Sequence, residues 1–314
     1  MTYKTKNILV MATMSAGKST VLNALLGDDL LYSANEATTS AITKLHINKP
    51  SIFGAVSYCA NKLPISEEVI VNNEILKEWN KDKNVHFIDV FINNTIQSKS
   101  KKRLNLVYID TPGPNNSQDS SHHELLDNAL DNNNINVILY ILNCSQLATN
   151  DDFKLLSRLY KYINHNQDTQ VVFIINKADV IDEESGESLK NIVNNTKLYL
   201  EMSGFKNPVI VLLMARMSLV AKKIITGNNI SRKENNMLKN ELERFRLNKH
   251  YLNEHSLINS NEKDKTSKQL NRIIPLFLHK VFCLSQTKNG MNKSELKQFC
   301  SYTGIQTIED ILSK

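Results

Sequence analysis

The chain has 314 residues, 41% of them apolar and 22% charged, a make-up that excludes a disordered chain and allows one large α/β domain with a smaller helical lobe. Its formal charge of +6 permits contact with anionic lipid or nucleic acid but argues for neither, and no specific nucleic acid is expected. Taken in order, residues 8–12 form an apolar strand pattern and 19–26 a helix stopped by Gly27. Residues 41–47 and 52–59 read as strands, and 66–79 as a helix capped by Ser66. Residues 85–92 and 104–109 read as a strand pair joined by a polar, basic loop. Then follow a helix at 121–130, a strand at 137–142, a helix at 151–163, a strand at 171–175, a helix at 189–202 and a strand at 209–214. Strands separated by helices of this length predict a mostly parallel sheet with helices on both faces. Beyond Gly227 the chain is helical in period, with Leu238, Leu242 and Phe245 on one face. A polar stretch (255–268) separates this from an apolar segment at 273–283, and helices follow at 294–300 and 308–312, the last with Thr307 and Asp310 spaced as a helix N-cap pair.

No apolar run reaches the roughly eighteen residues of a membrane-spanning helix, and the polar N-terminus lacks the shape of a signal peptide. Cys59, Cys144, Cys283 and Cys300 are widely spaced and form no CxxC, as expected for reduced thiols of a cytoplasmic protein.

The chemistry concentrates in four segments. Residues 12–19, Ala-Thr-Met-Ser-Ala-Gly-Lys-Ser, lie between a strand and a helix and fit GxxxxGK[ST], with Ala12 in place of the first glycine. Inward-facing N–H groups of such a loop cradle phosphate, aided by the helix N-terminus. Lys18 is placed to reach the β- and γ-phosphates and Ser19 to ligate Mg²⁺. Ala12 is tolerable there if its φ is negative. Asp110-Thr-Pro-Gly113 ends a buried strand: Asp110 would support Mg²⁺ through water, and the Gly113 N–H would sense the γ-phosphate. Asn176-Lys177-Ala178-Asp179 ends another strand. A carboxylate at Asp179 can accept from the N1–H and 2-amino group of guanine, a pair that adenine lacks, while the Lys177 stem lies over the base. Ala215, just after the next strand, is small enough for its N–H to approach guanine O6. The loop after the first helix carries Thr38 and Thr39. One of them would bind Mg²⁺ and orient the attacking water; Thr39 is preferred because it adjoins the strand. The basic cluster Lys99, Lys101, Lys102 and Arg103 reads as a solvated strand connection, and His122-His123 as a polar helix start.

Together these segments resemble the bacterial dynamin-like GTPases. The resemblance rests on Ser15-Ala16-Gly17-Lys18-Ser19-Thr20, Leu22-Asn-Ala-Leu-Leu-Gly27, Thr38-Thr39 with Ala41-Ile-Thr43, Asp110-Thr-Pro-Gly-Pro, Asn176-Lys-Ala-Asp179, and Ala215-Arg216 with Ala221-Lys222. It covers roughly residues 3–227, and Thr13-Met14 brings it nearest to the clamp-binding dynamin-like subset. It implies a P-loop NTPase fold of Ras-like type with a widened sheet: a GTPase core over 1–227, and a helical segment over 228–314 that packs on it and leads to a stalk outside this sequence. It also implies contacts to GTP or GDP from Met14, Ser15, Ala16, Gly17, Lys18, Ser19, Thr20, Asn176, Lys177, Asp179, Ala215 and Arg216, with Mg²⁺ at Ser19, Thr39 and Asp110. Catalysis would involve Ser15, Lys18, Thr39 and Gly113, with K⁺ or Na⁺ beside Ser15 in the place of an arginine finger. A transient homodimer through the G domain is expected, with a protein partner or a peripheral membrane contact made elsewhere. Arg216 reads either as a nucleotide contact or as a packing and ion-pair residue. Met14 departs from the glutamine that eukaryotic dynamins carry there, and a thioether is a poor acceptor. Slow basal hydrolysis follows, and with it a second reading: a GTP-dependent assembly module that binds a protein partner.

Overall fold

The computed structural model describes residues 4–13, 15–32, 41–47, 54–92, 104–111, 126–130, 134–183, 185–258 and 293–314. Eight strands form one sheet: β1 (Lys4–Ala12), β2 (Ile42–Ile47), β3 (Gly54–Tyr58), β4 (Phe87–Ile92), β5 (Leu104–Asp110), β6 (Val137–Asn143), β7 (Gln170–Asn176) and β8 (Val209–Leu213). Their order is β3-β4-β2-β5-β1-β6-β7-β8. All pairings are parallel except β2 with β5 and β3 with β4.

The two halves of the sheet differ in burial. Every residue of β6 is buried, the signature of a strand covered on both faces. In β2, β3 and β4 burial largely alternates, so one face is packed and the other is half-open. The described helices are α1 (Lys18–Leu26), α2 (Asn73–Trp79), α3 (Asn150–His165), α4 (Leu189–Met202), α5 (Ala215–Thr226), α6 (Arg232–Leu247), α7 (Tyr251–His255), α8 (Lys293–Tyr302) and α9 (Ile305–Leu312). Residues 126–130 are also helical. None of these helices is long and apolar enough to cross a membrane.

The helices past Gly227 share the core of the sheet. In α6 the capping box of Ser231 and Glu234 starts the helix, and Leu238, Leu242 and Phe245 are buried. Phe245 meets Phe299 and Tyr302 of α8 edge-on, at 5.4 and 5.3 Å between ring centroids. Leu257 pairs with Ile210 of β8 through two 2.8 Å backbone bonds. The Met214 N–H donates to the Thr303 carbonyl at 3.0 Å.

Three expectations are corrected. The helix expected over 66–79 begins only at Asn73, where Asn72 accepts from the Ile75 N–H. Ser66 instead accepts from the Ser57 N–H, and Val69 pairs with Ala55, so this stretch follows the β3 edge. Strands β4 and β5 are not partners: β2 lies between them, parallel to β4 and antiparallel to β5. Apolar patterning fixes the face of a strand but not its neighbour. Thr307 and Asp310 do not cap α9. Gly304 stands at that N-cap, Thr307 bonds Asn253 at 3.0 Å, and Asp310 accepts from Gln306. The segments 273–283 and 99–103, and His122-His123, lie outside the described residues, as do parts of the expected elements at 52–59 and 121–130.

Gly304 is the tightest joint of this C-terminal segment. Its φ is +87°, and a Cβ there would stand 2.1 Å from the Leu212 carbonyl oxygen. Backbone on backbone has little room to yield, so Gly304→Ala is expected to destabilise the fold by about 3 kcal/mol or more. Urea unfolding measures this, and an unchanged midpoint would show that α9 is not seated on β8 as described.

Candidate functional site

The strand order reverses at β1, whose carboxyl end lies beside those of β5 and β6 with β7 and β8 next in line; such a reversal is the position at which open α/β sheets bind ligands. Register brings the polar groups there: Val10 lies beside Asp110, and Asn176 beside Leu213.

The loop after β1 has the required backbone. Ala12 is buried at the strand end and is not among the positive-φ residues, which removes the objection to alanine at that position. Ser15 (φ 61°) and Gly17 (φ 90°) are both left-handed, an alternation that turns successive N–H groups inward. Gly17 is constrained twice, because a Cβ there would come within 2.6 Å of Asn176 Nδ2. The loop runs directly into α1, whose first residues are Lys18 and Ser19. Lys18 Nζ donates to Asp110 Oδ1 and to the Thr111 carbonyl. Ser19 and Thr20 are half-buried in the first turn of α1.

Asn176 ties the site together. Its Nδ2 donates to the Ala16 carbonyl at 2.9 Å, and its Oδ1 accepts from the Ala215 N–H at 3.1 Å. The side chain is 2% exposed, so both bonds are made out of water. Ala215, expected to offer its N–H to a base, therefore already gives it to Asn176. Lys177 follows in the left-handed region (φ 66°), and Ala178–Val180 form one turn of 3₁₀ helix carrying Asp179. Burial raises the Asp179 carboxyl above its ordinary value. Its own backbone N–H, Lys177 and Arg244 oppose that shift. A buried carboxylate needs strong donors, and two neutral N–H groups on one ligand edge would supply them.

Arg216 has other occupation. Its guanidinium pairs with Glu234 of α6 at 2.9 Å and lies 3.8 Å from Asp29, the ion-pair alternative of the sequence analysis. Met14, Thr38, Thr39 and Gly113 lie outside the described residues. Among the described residues no cluster of three His, Cys, Asp or Glu side chains is placed to hold a metal. Asp110 with Ser19 is instead a hard-oxygen pair of the kind Mg²⁺ shares with phosphate oxygens. Cys144 is buried beside the site, and burial pushes its thiol up to about 12, which makes it unreactive.

Sequence reading missed one support of the loop. Asp152 of α3 is fully buried and caps its own helix with Thr149. It also accepts hydrogen bonds from Tyr140 and from Thr13 of the phosphate loop. The Thr149-x-x-Asp152 spacing signals the cap, but nothing local signals the reach to Thr13.

Residues 8–178 match the sequence model of the Dynamin family. No curated protein matches the chain. Two solved structures of an oligomerised bacterial dynamin pair, described as sensing and tethering membranes over long range, are similar at 16% identity, with TM-scores of 0.52 and 0.49. Each comparison covers 85% of this chain but only 44% of the dynamin chain, so this chain spans under half their length. Era bound to MgGDPNP and a segment of 16S ribosomal RNA is more distant, with TM-score 0.38 and 17% identity over 68% of this chain and 52% of that one.

Asn176→Ala would leave the Ala16 carbonyl and the Ala215 N–H unpaired. A loss of about 2–6 kcal/mol in unfolding free energy is expected, from roughly 1–3 kcal/mol for each of the two orphaned buried groups. A change below about 0.5 kcal/mol, the scatter of ordinary surface substitutions, would mean the side chain does not join the two loops.

Proposed function

Since the chain belongs to the dynamin family, a family of GTPases, we propose that it binds GTP and hydrolyses it to GDP and phosphate at the site between β1, β5, β7 and β8. The observation that carries this reading is the double hydrogen bond of Asn176, which joins the phosphate loop to the loop bearing Lys177 and Asp179. A nucleotide needs both at once: phosphate at one end and base at the other.

In this reading the N–H groups from Ser15 to Thr20 hold the phosphates. Lys18 exchanges Asp110 and the Thr111 carbonyl for the β- and γ-phosphate oxygens. Water attacks the γ-phosphorus as the bond to the β,γ-bridging oxygen breaks, and the electron pair stays on GDP. Thr39 orients that water, and the Gly113 N–H contacts the γ-phosphate. Ser15, exposed and left-handed in the loop, would hold K⁺ or Na⁺, which would supply positive charge against the charge that develops between the phosphates. Ser19, Thr39 and Asp110 would hold Mg²⁺, which supplies charge neutralisation when bound. Asp179 and Lys177 read guanine. Residues 1–227 act as the nucleotide core, with 228–314 as the helical segment that leads to a stalk. Head-to-head dimerisation across the nucleotide raises turnover. Contact with a protein partner, or peripheral contact with a membrane, is made through other parts of the protein.

The second reading, a slow-hydrolysing assembly module, is favoured by Met14. GTP turnover at rising protein concentration, with potassium, sodium or neither, separates the two. Specific activity that climbs with concentration supports the GTPase. Flat, negligible turnover alongside tight GTP binding leaves only the assembly module. Lys18→Ala is expected to lose GTP binding in either case.

Base selection has its own pH signature. The carboxylate form of Asp179 binds guanine, and burial makes this group take up a proton at a higher pH than an ordinary aspartate. GTP affinity should therefore begin to fall on acidification at a pH above that of an ordinary aspartate. Fluorescent-nucleotide titrations of wild type and Asp179→Asn check this. The variant should have lost its preference for GTP over ATP and should lack that fall; a wild-type profile in the variant would refute the assignment.

A further inference from the structure

The base-reading loop is held from outside the sheet. Arg244 of α6 donates from Nη2 to the Ile181 carbonyl at 2.9 Å, two residues past Asp179. Its other terminal nitrogen lies 3.7 Å from Glu241 Oε2 on the same helix, and Glu241 accepts from Tyr302 of α8 at 2.5 Å. Tyr251 of α7 donates to Glu183 Oε1. Two helices of the C-terminal segment, α6 and α7, thus bond to a loop whose entry, Lys177, sits at φ 66°, and α8 braces α6 through Glu241. A left-handed, non-glycine backbone persists only where its surroundings over-determine it. The demand on Asp179 is strict as well, because a carboxylate that accepts two parallel N–H bonds tolerates little displacement.

We propose that Arg244 is a positioning residue for guanine recognition: by fixing the Ile181 carbonyl and setting a positive charge on the Asp179 side of the loop, it fixes where the base-reading carboxylate stands. This rests on the reading of Asp179 as that carboxylate. The same guanidinium draws the Asp179 carboxyl downward, opposing the net rise that burial causes. Helix α6 thereby gives the C-terminal segment a direct hold on the nucleotide pocket.

The test compares GDP with IDP, whose base lacks the 2-amino donor. Dissociation constants are measured for the full chain as wild type, Asp179→Asn, Arg244→Ala, Arg244→Lys and the Asp179→Asn/Arg244→Ala pair, with thermal unfolding of each. Asp179→Asn should reduce the preference for GDP over IDP by roughly tenfold or more, the worth of one charge-assisted bond. Arg244→Ala should reduce it by roughly threefold to tenfold, as for residues in one hydrogen-bond network. Arg244→Lys should recover part of that loss, and Arg244→Ala should subtract nothing further in the pair. Should Arg244→Ala fail to fold, Arg244→Gln carries the same comparison. If Arg244→Ala (or Arg244→Gln) folds and leaves the GDP-to-IDP ratio at the wild-type value, whether both affinities are unchanged or both fall equally, the proposal is overturned. If Asp179→Asn itself keeps the wild-type ratio, the base-reading assignment fails instead.

Discussion

One primary amide holds this site together. Asn176 spends its donor on Ala16 and its acceptor on Ala215, so a single side chain fixes three backbone segments that arrive from different strands. The constraint reaches outward. Gly17 must be glycine because the Asn176 amide occupies the place of its Cβ. Lys18 and Ser19 inherit their position from Gly17. Asn176 also passes its own carbonyl to the Cys144 N–H at the end of β6, which binds the site to a strand buried on both faces. Because both amide bonds lie out of water, each is costly to leave unmade, and the loops are therefore rigid relative to one another.

A second set of contacts links that rigid centre to the C-terminal helices. Lys222 and Lys223, adjacent on α5, are both buried. Lys222 reaches the Leu25 carbonyl at the end of α1 and Glu309 of α9. Lys223 reaches Asp29, just past α1, and Glu234 of α6. Burial alone would lower the Lys223 ammonium, but Asp29 and Glu234 outweigh it and the net shift is upward. Glu234 shifts the other way, its burial outweighed by Ser231, Lys223 and Arg216. Such pairs add little net stability, because desolvation offsets attraction. What they contribute is definition. The helix that starts with Lys18 ends against α5, whose two lysines carry the contact on to α6 and α9, in an arrangement that alternative packings would leave as unpaired buried charge.

What could be read from the sequence follows from what is local. The phosphate loop and the Asn176–Asp179 segment were legible because each is contiguous and each requires a strand before it. The covered strands at 137–142 and 171–175 stood out as apolar runs. The neighbour of each strand was not legible, since β2 enters between β4 and β5 through pairings with no sequence signature. The helix at 66–79 starts later than its pattern suggests because Val69 and Val71, two residues apart, suit an edge-following segment as well as a helical stripe. Arg244, Asp152 and Gly304 act across the fold, at Ile181, Thr13 and Leu212, and no short-range pattern announces such a partner.

By motif, the nucleotide machinery is expected to end near Gly227, and the helices beyond it are bonded to that core. Thr303 accepts from Met214 at the lip of β8, Leu257 pairs with Ile210, and Arg244 holds Ile181. Each contact touches a segment that leads into Ala215 or follows Asp179. The sheet is packed on one face along β2–β4 and on both faces along β6–β8, so the strands that carry Asn176 and Ala215 at their ends are the more deeply buried. The C-terminal helices supply part of that burial. A displacement of α6 or α8 would therefore reach the base-reading loop through bonded contacts, without first passing through the phosphate loop, so the two ends of a bound nucleotide are supported by separate parts of the chain.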